Sequence, residues 1–187
     1  MTRQKLIDNR IETKVVTTPE QQRDAFMVRA VCYAGKDEGA MPIKVLVDGN
    51  DYQATHFVAY VDGEPVGSAR VRWFRDFAKF ERSCFVPAFR NMRTIYTTSS
   101  AVFAHIAAKG YDMVLTVATP KYAALWQKLL GFERSQKPAF RIAVSEEPFF
   151  ELMKRLTLPD FRLSAETESA IIERIEGRWN APLAYEV

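Results

Sequence analysis

The sequence is poor in the residues that build metal centres and disulfide scaffolds. Its 187 residues hold two cysteines, Cys32 and Cys84, and two histidines, His56 and His105, on separate segments. That scarcity argues against a disulfide framework, a zinc knuckle or any multi-histidine metal site. Eight glycines and nine prolines are too few for a collagen-like or low-complexity chain. No apolar run approaches the roughly 20 residues of a membrane-spanning helix. The opening stretch MTRQKLIDNRIETK is charged throughout and lacks the apolar core of a secretory signal. The expectation is a cytoplasmic protein with no membrane span, no metal and no permanently bound cofactor. Hydrophobic residues make up 48% of the chain, enough to fill the core of one domain over 1–187. The domain body is expected over about 15–145, with a helical extension over about 146–187.

Charge is more informative locally than globally. Between Arg70 and Arg93 lie seven basic residues and two acidic ones, a net +5 in a chain whose formal total is +3. Such a segment is either a solvated face or a site for phosphate or an acidic partner. Nucleic acid is disfavoured, because exposed aromatics are not interleaved with the basic residues as in single-strand binders.

Thr18-Pro19-Glu20 reads as a helix start, followed by Phe26, Ala30 and Tyr33 at helical spacing. From Lys36 to Asn50 the chain reads as a long loop with a short helix as an option. Phe57–Val61, the turn Asp62-Gly63, and Val66–Phe74 form a hairpin pattern. In its second strand Arg70 and Arg72 share one face, opposite Ala69, Val71 and Trp73. A strand over about Phe80–Val86 ends at Pro87. A helix over Met92–Lys109 carries Ile95, Ser99, Val102 and Ile106 on one stripe, with Gly110 beyond it. Met113–Ala118 reads as a strand buried on both faces, parallel to its predecessor across the helix. Thr119-Pro120 starts a further helix with Tyr122, Leu125, Trp126 and Leu129 facing inward, ended by Gly131. Phe140–Val144 reads as a last strand. Phe149, Phe150, Leu152 and Met153, and later Ile171, Ile172, Ile175 and Trp179, read as amphipathic helices.

The order strand, Pro87-Ala88-Phe89-Arg90, helix, strand, helix, Gly131-Phe132 resembles the GNAT superfamily of N-acyltransferases. The resemblance implies an α/β (α+β) fold: a mixed, mostly antiparallel sheet with a central splayed parallel strand pair, flanked by helices. It also implies an acyl-CoA or acyl carrier protein donor and a small-molecule amine acceptor. The family's turn pattern, Arg/Gln-x-x-Gly-x-Gly/Ala, corresponds to Arg90-Asn91-Met92-Arg93-Thr94-Ile95, where Arg90 matches and Arg93 and Ile95 replace the small residues. Further motifs are similar to acyl-homoserine-lactone synthases and N-acyl amino acid synthases: Arg29 with Tyr33, Asp48-Gly49-Asn50-Asp51, Gly67-Ser68-Ala69-Arg70, and Phe80 to Val86. Two places differ from the lactone synthases, which have a tryptophan at Gly39 and a glutamate at Lys79. Trp126 sits where the N-acyl amino acid synthases carry an aromatic or a tyrosine.

By this resemblance, Cys84, Phe85 and Val86 would present backbone groups to pantetheine, and Arg90, Asn91, Arg93 and Thr94 would receive phosphate at a helix N-terminus. Arg29, Tyr33, Asp48, Asp51, Arg70 and Arg82 would shape the acceptor site. Glu81 is the first candidate base, with a salt bridge to Arg70 or Arg72 as the alternative. Period-two alternation separates Glu81 from Arg82 unless a bulge intervenes, and otherwise Asp48 or Asp51 becomes the base or amine anchor. Tyr122 is the candidate proton donor to the leaving thiolate, or a core residue. Cys84 is a nucleophile or, in the blander reading, a small buried hydrophobe. Two other functions stay open: acetyl transfer from acetyl-CoA to a small amine or protein lysine, and a catalytically degenerate binding domain. The sequence sets no oligomeric state.

Overall fold

The computed structural model describes residues 10–34, 47–141 and 147–160. Seven strands form one sheet: β1 (Ile11–Val15), β2 (Ala54–Val61), β3 (Glu64–Trp73), β4 (Ala78–Phe85), β5 (Met113–Ala118), β6 (Glu133–Arg134) and β7 (Phe150–Arg155), in the order β1-β2-β3-β4-β5-β7-β6. Every neighbouring pair is antiparallel except β4 and β5. Among the described residues three α-helices flank it: α1 (Pro19–Ala34), α2 (Met92–Ala108) and α3 (Pro120–Leu130).

The local chemistry explains the boundaries. Thr18 Oγ1 accepts from Gln21 N at 3.3 Å, and Gln21 Oε1 accepts from the Thr17 and Thr18 amides at 2.8 and 3.3 Å, a reciprocal cap that starts α1. Asp62 and Gly63 both take positive φ, 52° and 88°, as the tight β2–β3 hairpin requires. Gly131, at φ 70°, closes α3 in the left-handed conformation.

The main core lies between one sheet face and helices α2 and α3, and includes Phe57, Val71, Phe80, Phe85, Ile95, Val102, Ile106, Val114, Trp126 and Leu152. On the opposite face α1 packs against β2, β3 and β4. Gly67 is required by a close approach on β3. A Cβ there would stand 2.6 Å from the Phe85 ring, so only a bare Cα allows that ring to cross β3. Gly67→Val is expected to cost about 1–3 kcal/mol through overpacking, measured by urea denaturation.

Four expectations need correction. The buried face of α1 is Ala25, Val28, Arg29 and Cys32, whereas Phe26, Ala30 and Tyr33 are half-buried. An apolar pattern counts Arg29 as surface, but an ion pair carries it inside. Strand β5 is fully buried on one face only, through Val114, Thr116 and Ala118, because α1 packs on β2, β3 and β4. Phe150, Leu152 and Met153 belong to a strand rather than a helix. β5 offers an open ladder edge, β7 fills it from Ala118↔Phe150 to Met113↔Arg155, and Leu152 enters the core. The sheet therefore extends past residue 145. Phe140 makes an isolated bridge to Phe149. Residues 142–144 of the expected last strand, and Ile171, Ile172, Ile175 and Trp179, lie outside the described residues, as does most of the Lys36–Asn50 loop.

Candidate active site

The two parallel strands separate almost as soon as they meet. β4 and β5 pair at Ala78↔Val114 and Lys79↔Leu115 only. Beyond that point β4 stays with β3 as far as Gly67↔Phe85, and β5 stays with β7 as far as Ala118↔Phe150. The β5-facing edge of β4 from Phe80 to Phe85 therefore has no strand partner among the described residues. A bare strand edge presents backbone donors and acceptors in a row, ready to pair with an extended amide-bearing ligand.

The turn at the end of β4 is well occupied. Val86 N donates to Val66 O at 2.9 Å, and Pro87–Phe89 make one 3₁₀ turn. Asn91 caps α2: its Oδ1 accepts from Thr94 N at 3.0 Å and from Thr94 Oγ1 at 3.2 Å. Thr94 is buried, whereas Arg93 is exposed on the first turn. Arg90 folds back, and its Nε and Nη2 donate to Phe85 O at 3.3 and 3.2 Å. Cys84 faces α1, in a cluster with Val28 and Cys32, and Phe85 faces the main core.

β4 also carries a bulge. Ser68 pairs with Cys84 and Arg70 pairs with Glu81, so one extra residue sits on β4, and Arg82 takes φ 55°. The irregularity turns Glu81 and Arg82 toward the same group of side chains. Arg70 lies at the centre. Its Nη1 donates to Asp48 Oδ1 at 2.8 Å and to Asp51 Oδ1 at 2.7 Å, and its Nη2 to Glu81 Oε1 at 3.1 Å. Arg82 Nη2 donates to Asp48 Oδ2 at 3.0 Å, and Arg29 Nη1 to Asp51 Oδ1 at 2.9 Å. Lys79 Nζ stands 3.3 Å from Glu81 Oε2, and Arg72 Nε 3.9 Å from Glu81 Oε1. Asp48 and Asp51 hold each other's segment through a capping box around the 3₁₀ turn Gly49–Gln53.

Six residues expected from the sequence thus form one contiguous network: Arg29, Asp48, Asp51, Arg70, Glu81 and Arg82. Tyr33 lies beside it, with the Arg82 guanidinium 5.9 Å from its ring centroid, and burial pushes its hydroxyl well above the ordinary phenol range. Tyr122 stands apart, half-buried on the first turn of α3 with its ring 6.4 Å from Trp126. The sequence reading gave His56 no role. Its ring is 1% exposed and bonded to both Arg29 and Asp51. The signal was available, because His56 sits opposite Arg70 in the hairpin register.

Electrostatics sort the carboxylates. Burial alone would raise Asp48, but hydrogen bonds from Arg70 and Arg82 overcome it and hold the acid well below its usual range. Asp51 is lowered in the same way: against burial act the Asp48 amide and the guanidinium groups of Arg29 and Arg70. Both are anchors, fixed as anions. Five cationic side chains (Arg29, Arg70, Arg72, Lys79, Arg82) meet three carboxylates, so the cluster keeps a positive surplus. Among the described residues, no group of His, Cys, Asp and Glu could hold a metal ion, and no helix is long and apolar enough to cross a membrane.

No protein-family model matches the chain, and no curated protein matches its sequence. Solved structures do match its fold. A candidate N-acetyltransferase of Lactobacillus plantarum superposes with a TM-score of 0.70 at 18% identity, over 80% of this chain and 100% of its own. FeeM, an N-acyl amino acid synthase from uncultured soil microbes, gives 0.63 at 12%, over 79% of this chain and 91% of its own. The ribosomal-protein-S18-alanine N-acetyltransferase of Escherichia coli gives 0.62 at 10%, over 82% and 99%.

Proposed function

We propose that this chain, which has the GNAT fold, is an N-acyltransferase that moves an acyl group from a pantetheine thioester to an amine. One observation carries the reading: β4 and β5 part after two paired residues, and the β4 edge beside an ionic cluster has no strand partner among the described residues. Pantetheine carries two amide groups and would lie along residues 80–85 as a substitute strand. Its thioester would then stand next to the bulge.

The acceptor amine attacks the thioester carbon, the C–S bond breaks, and the thiolate leaves with a proton taken up afterwards. Glu81, with a side chain 16% exposed, is the carboxylate placed to receive the proton shed by the amine, directly or through one water. Tyr122, on the helix that follows β5, is the group proposed to protonate the thiolate. The cationic surplus around Glu81 favours an acceptor with its own carboxylate, such as an amino acid.

On the donor side, Asn91 already satisfies a first-turn amide of α2, and no glycine opens the turn for phosphate. An acyl carrier protein, whose phosphopantetheine has no pyrophosphate, fits this turn better than a CoA donor does, and a medium or long acyl chain on either carrier is the proposed group. Arg93, exposed at that turn, would meet the donor's phosphate. Such thioesters are cytoplasmic metabolites, consistent with a cytoplasmic protein. The test is thiol release from CoA thioesters of graded chain length and from acyl carrier protein, with amino acids and simple amines as acceptors. Release that rises with chain length and needs an amino acid supports the proposal. Release from acetyl-CoA alone would make the chain an acetyltransferase of small amines or lysine, and none from any donor would leave a binding domain.

A further inference from the structure

We propose that His56 is a positioning residue: a neutral imidazole carrying its proton on Nε2, which sets Arg29 and Asp51 and makes the fold sensitive to acid.

Donor and acceptor chemistry leaves one tautomer. Arg29 Nη2 lies 3.2 Å from His56 Nδ1, and a guanidinium nitrogen only donates, so Nδ1 accepts. His56 Nε2 lies 3.0 Å from Asp51 O, and a carbonyl only accepts, so Nε2 bears the hydrogen. A second proton on Nδ1 would set an N–H against an N–H and break the bond to Arg29. The remaining neighbours make that proton costly. Arg29 comes from α1, Arg70 sits opposite on β3, and the edge-on Phe26 ring is 5.4 Å away. The opposing charge is Asp51, whose Oδ1 is 3.7 Å from Nε2 and already shared by Arg29 and Arg70. Burial, aided by Arg29 and Arg70, lowers the imidazole below the 6.5 of a free one, against the pull of Asp51.

The rest of the cluster depends on this arrangement. Arg29 and Arg70 share Asp51 Oδ1, and Arg70 carries Asp48 and Glu81. Loss of the Nδ1 acceptor frees Arg29 to turn, Asp51 follows, and the guanidinium that orients Glu81 loses its reference. The sign follows from proton uptake. The unfolded chain binds the His56 proton at higher pH than the folded one, so stability falls as pH drops below 6.5. The carboxylates of Asp48 and Asp51 act lower, below their ordinary 3.8.

Three readouts test the inference. Imidazole ¹⁵N NMR of the wild-type protein at pH 7 is expected to show Nε2–H with a bare Nδ1; an Nδ1–H tautomer or a doubly protonated ring overturns it. Urea denaturation across pH 7.5 to 5 compares the wild type with His56→Gln, whose amide keeps hydrogen-bonding capacity but does not titrate. The wild-type folded-to-unfolded ratio is expected to fall relative to the variant by up to about tenfold per pH unit, and parallel curves overturn the acid sensitivity. The third readout rests on the acyltransferase reading: His56→Leu is expected to raise the acceptor KM about tenfold at pH 7.5, and His56→Gln to stay within about threefold of wild type. Equal defects in both variants overturn the positioning role. Absence of transfer by the wild type sinks the enzyme reading and leaves the first two readouts to decide.

Discussion

Arg70→Ala is expected to destabilise the protein by about 3–5 kcal/mol, the largest loss of any single substitution in the cluster. Arg70 is 2% exposed and its two terminal nitrogens serve Asp48, Asp51 and Glu81 together. Without it, Asp51, with a side chain 3% exposed, keeps Arg29, Asp48 keeps Arg82 and Glu81 keeps Lys79, but the three carboxylates lose the buried guanidinium that they share and that holds them together. Arg70→Met, similar in bulk but uncharged, is expected to lose nearly as much, which identifies charge as the cause. Arg70→Lys recovers part, because one ammonium cannot fork across three acids. The acids must be ionised for this penalty to exist. Asp48 and Asp51 are lowered in the fold, so their stabilisation is present above their ordinary 3.8 and vanishes as pH falls through their folded values. The gap between Arg70→Ala and wild type is therefore expected to close below about pH 4, on the linkage just given. Urea denaturation at pH 7.5 and in strong acid measures both; a loss under about 1 kcal/mol at pH 7.5 contradicts the network.

Arg82→Gly is expected to separate stability from function. The left-handed backbone at φ 55° costs a non-glycine residue about 1–2 kcal/mol, which glycine avoids. Against that gain stands the Arg82–Asp48 pair, 3.0 Å long but between side chains 17% and 27% exposed, so solvent weakens it. The two effects nearly cancel, and net stability should stay within about 1 kcal/mol of wild type. Arg82→Ala keeps the backbone cost and loses the pair, so it should be the less stable variant by about 1 kcal/mol. Both remove the guanidinium beside the cleft and should reduce kcat/KM for acyl transfer about ten- to hundredfold, as for one charge-assisted hydrogen bond. Alanine more stable than glycine would contradict the bulge geometry.

Much of this was legible before the coordinates, and the misses share a cause. Helix starts at Thr18-Pro19 and Thr119-Pro120 and the Asp62-Gly63 turn rest on local chemistry, and the structure has each of them. Six cluster residues followed from short motifs. The bulge did not, because an extra residue in a strand leaves no mark on its sequence; only the tension between Glu81 and Arg82 hinted at it. The burial of Arg29 and the place of His56 escaped because a buried polar residue looks like a surface one until its partners are known. The short run Phe149–Met153 could be helix or strand, and β5's need for an antiparallel neighbour decided it. Arg90 has the type expected to meet phosphate, and in the structure it donates to the carbonyl of Phe85.

Backbone amide exchange tests the substitute-strand arrangement most directly. A hydrolysis-resistant thioether analogue of a long-chain acyl-CoA is added at saturation, and deuterium uptake is compared with and without it. Amides between 80 and 85 that face away from β3 should exchange more slowly with ligand, while those of β2 and β7, already within ladders, stay unchanged. Unaltered exchange across β4 at full occupancy, with slowing elsewhere, would contradict it.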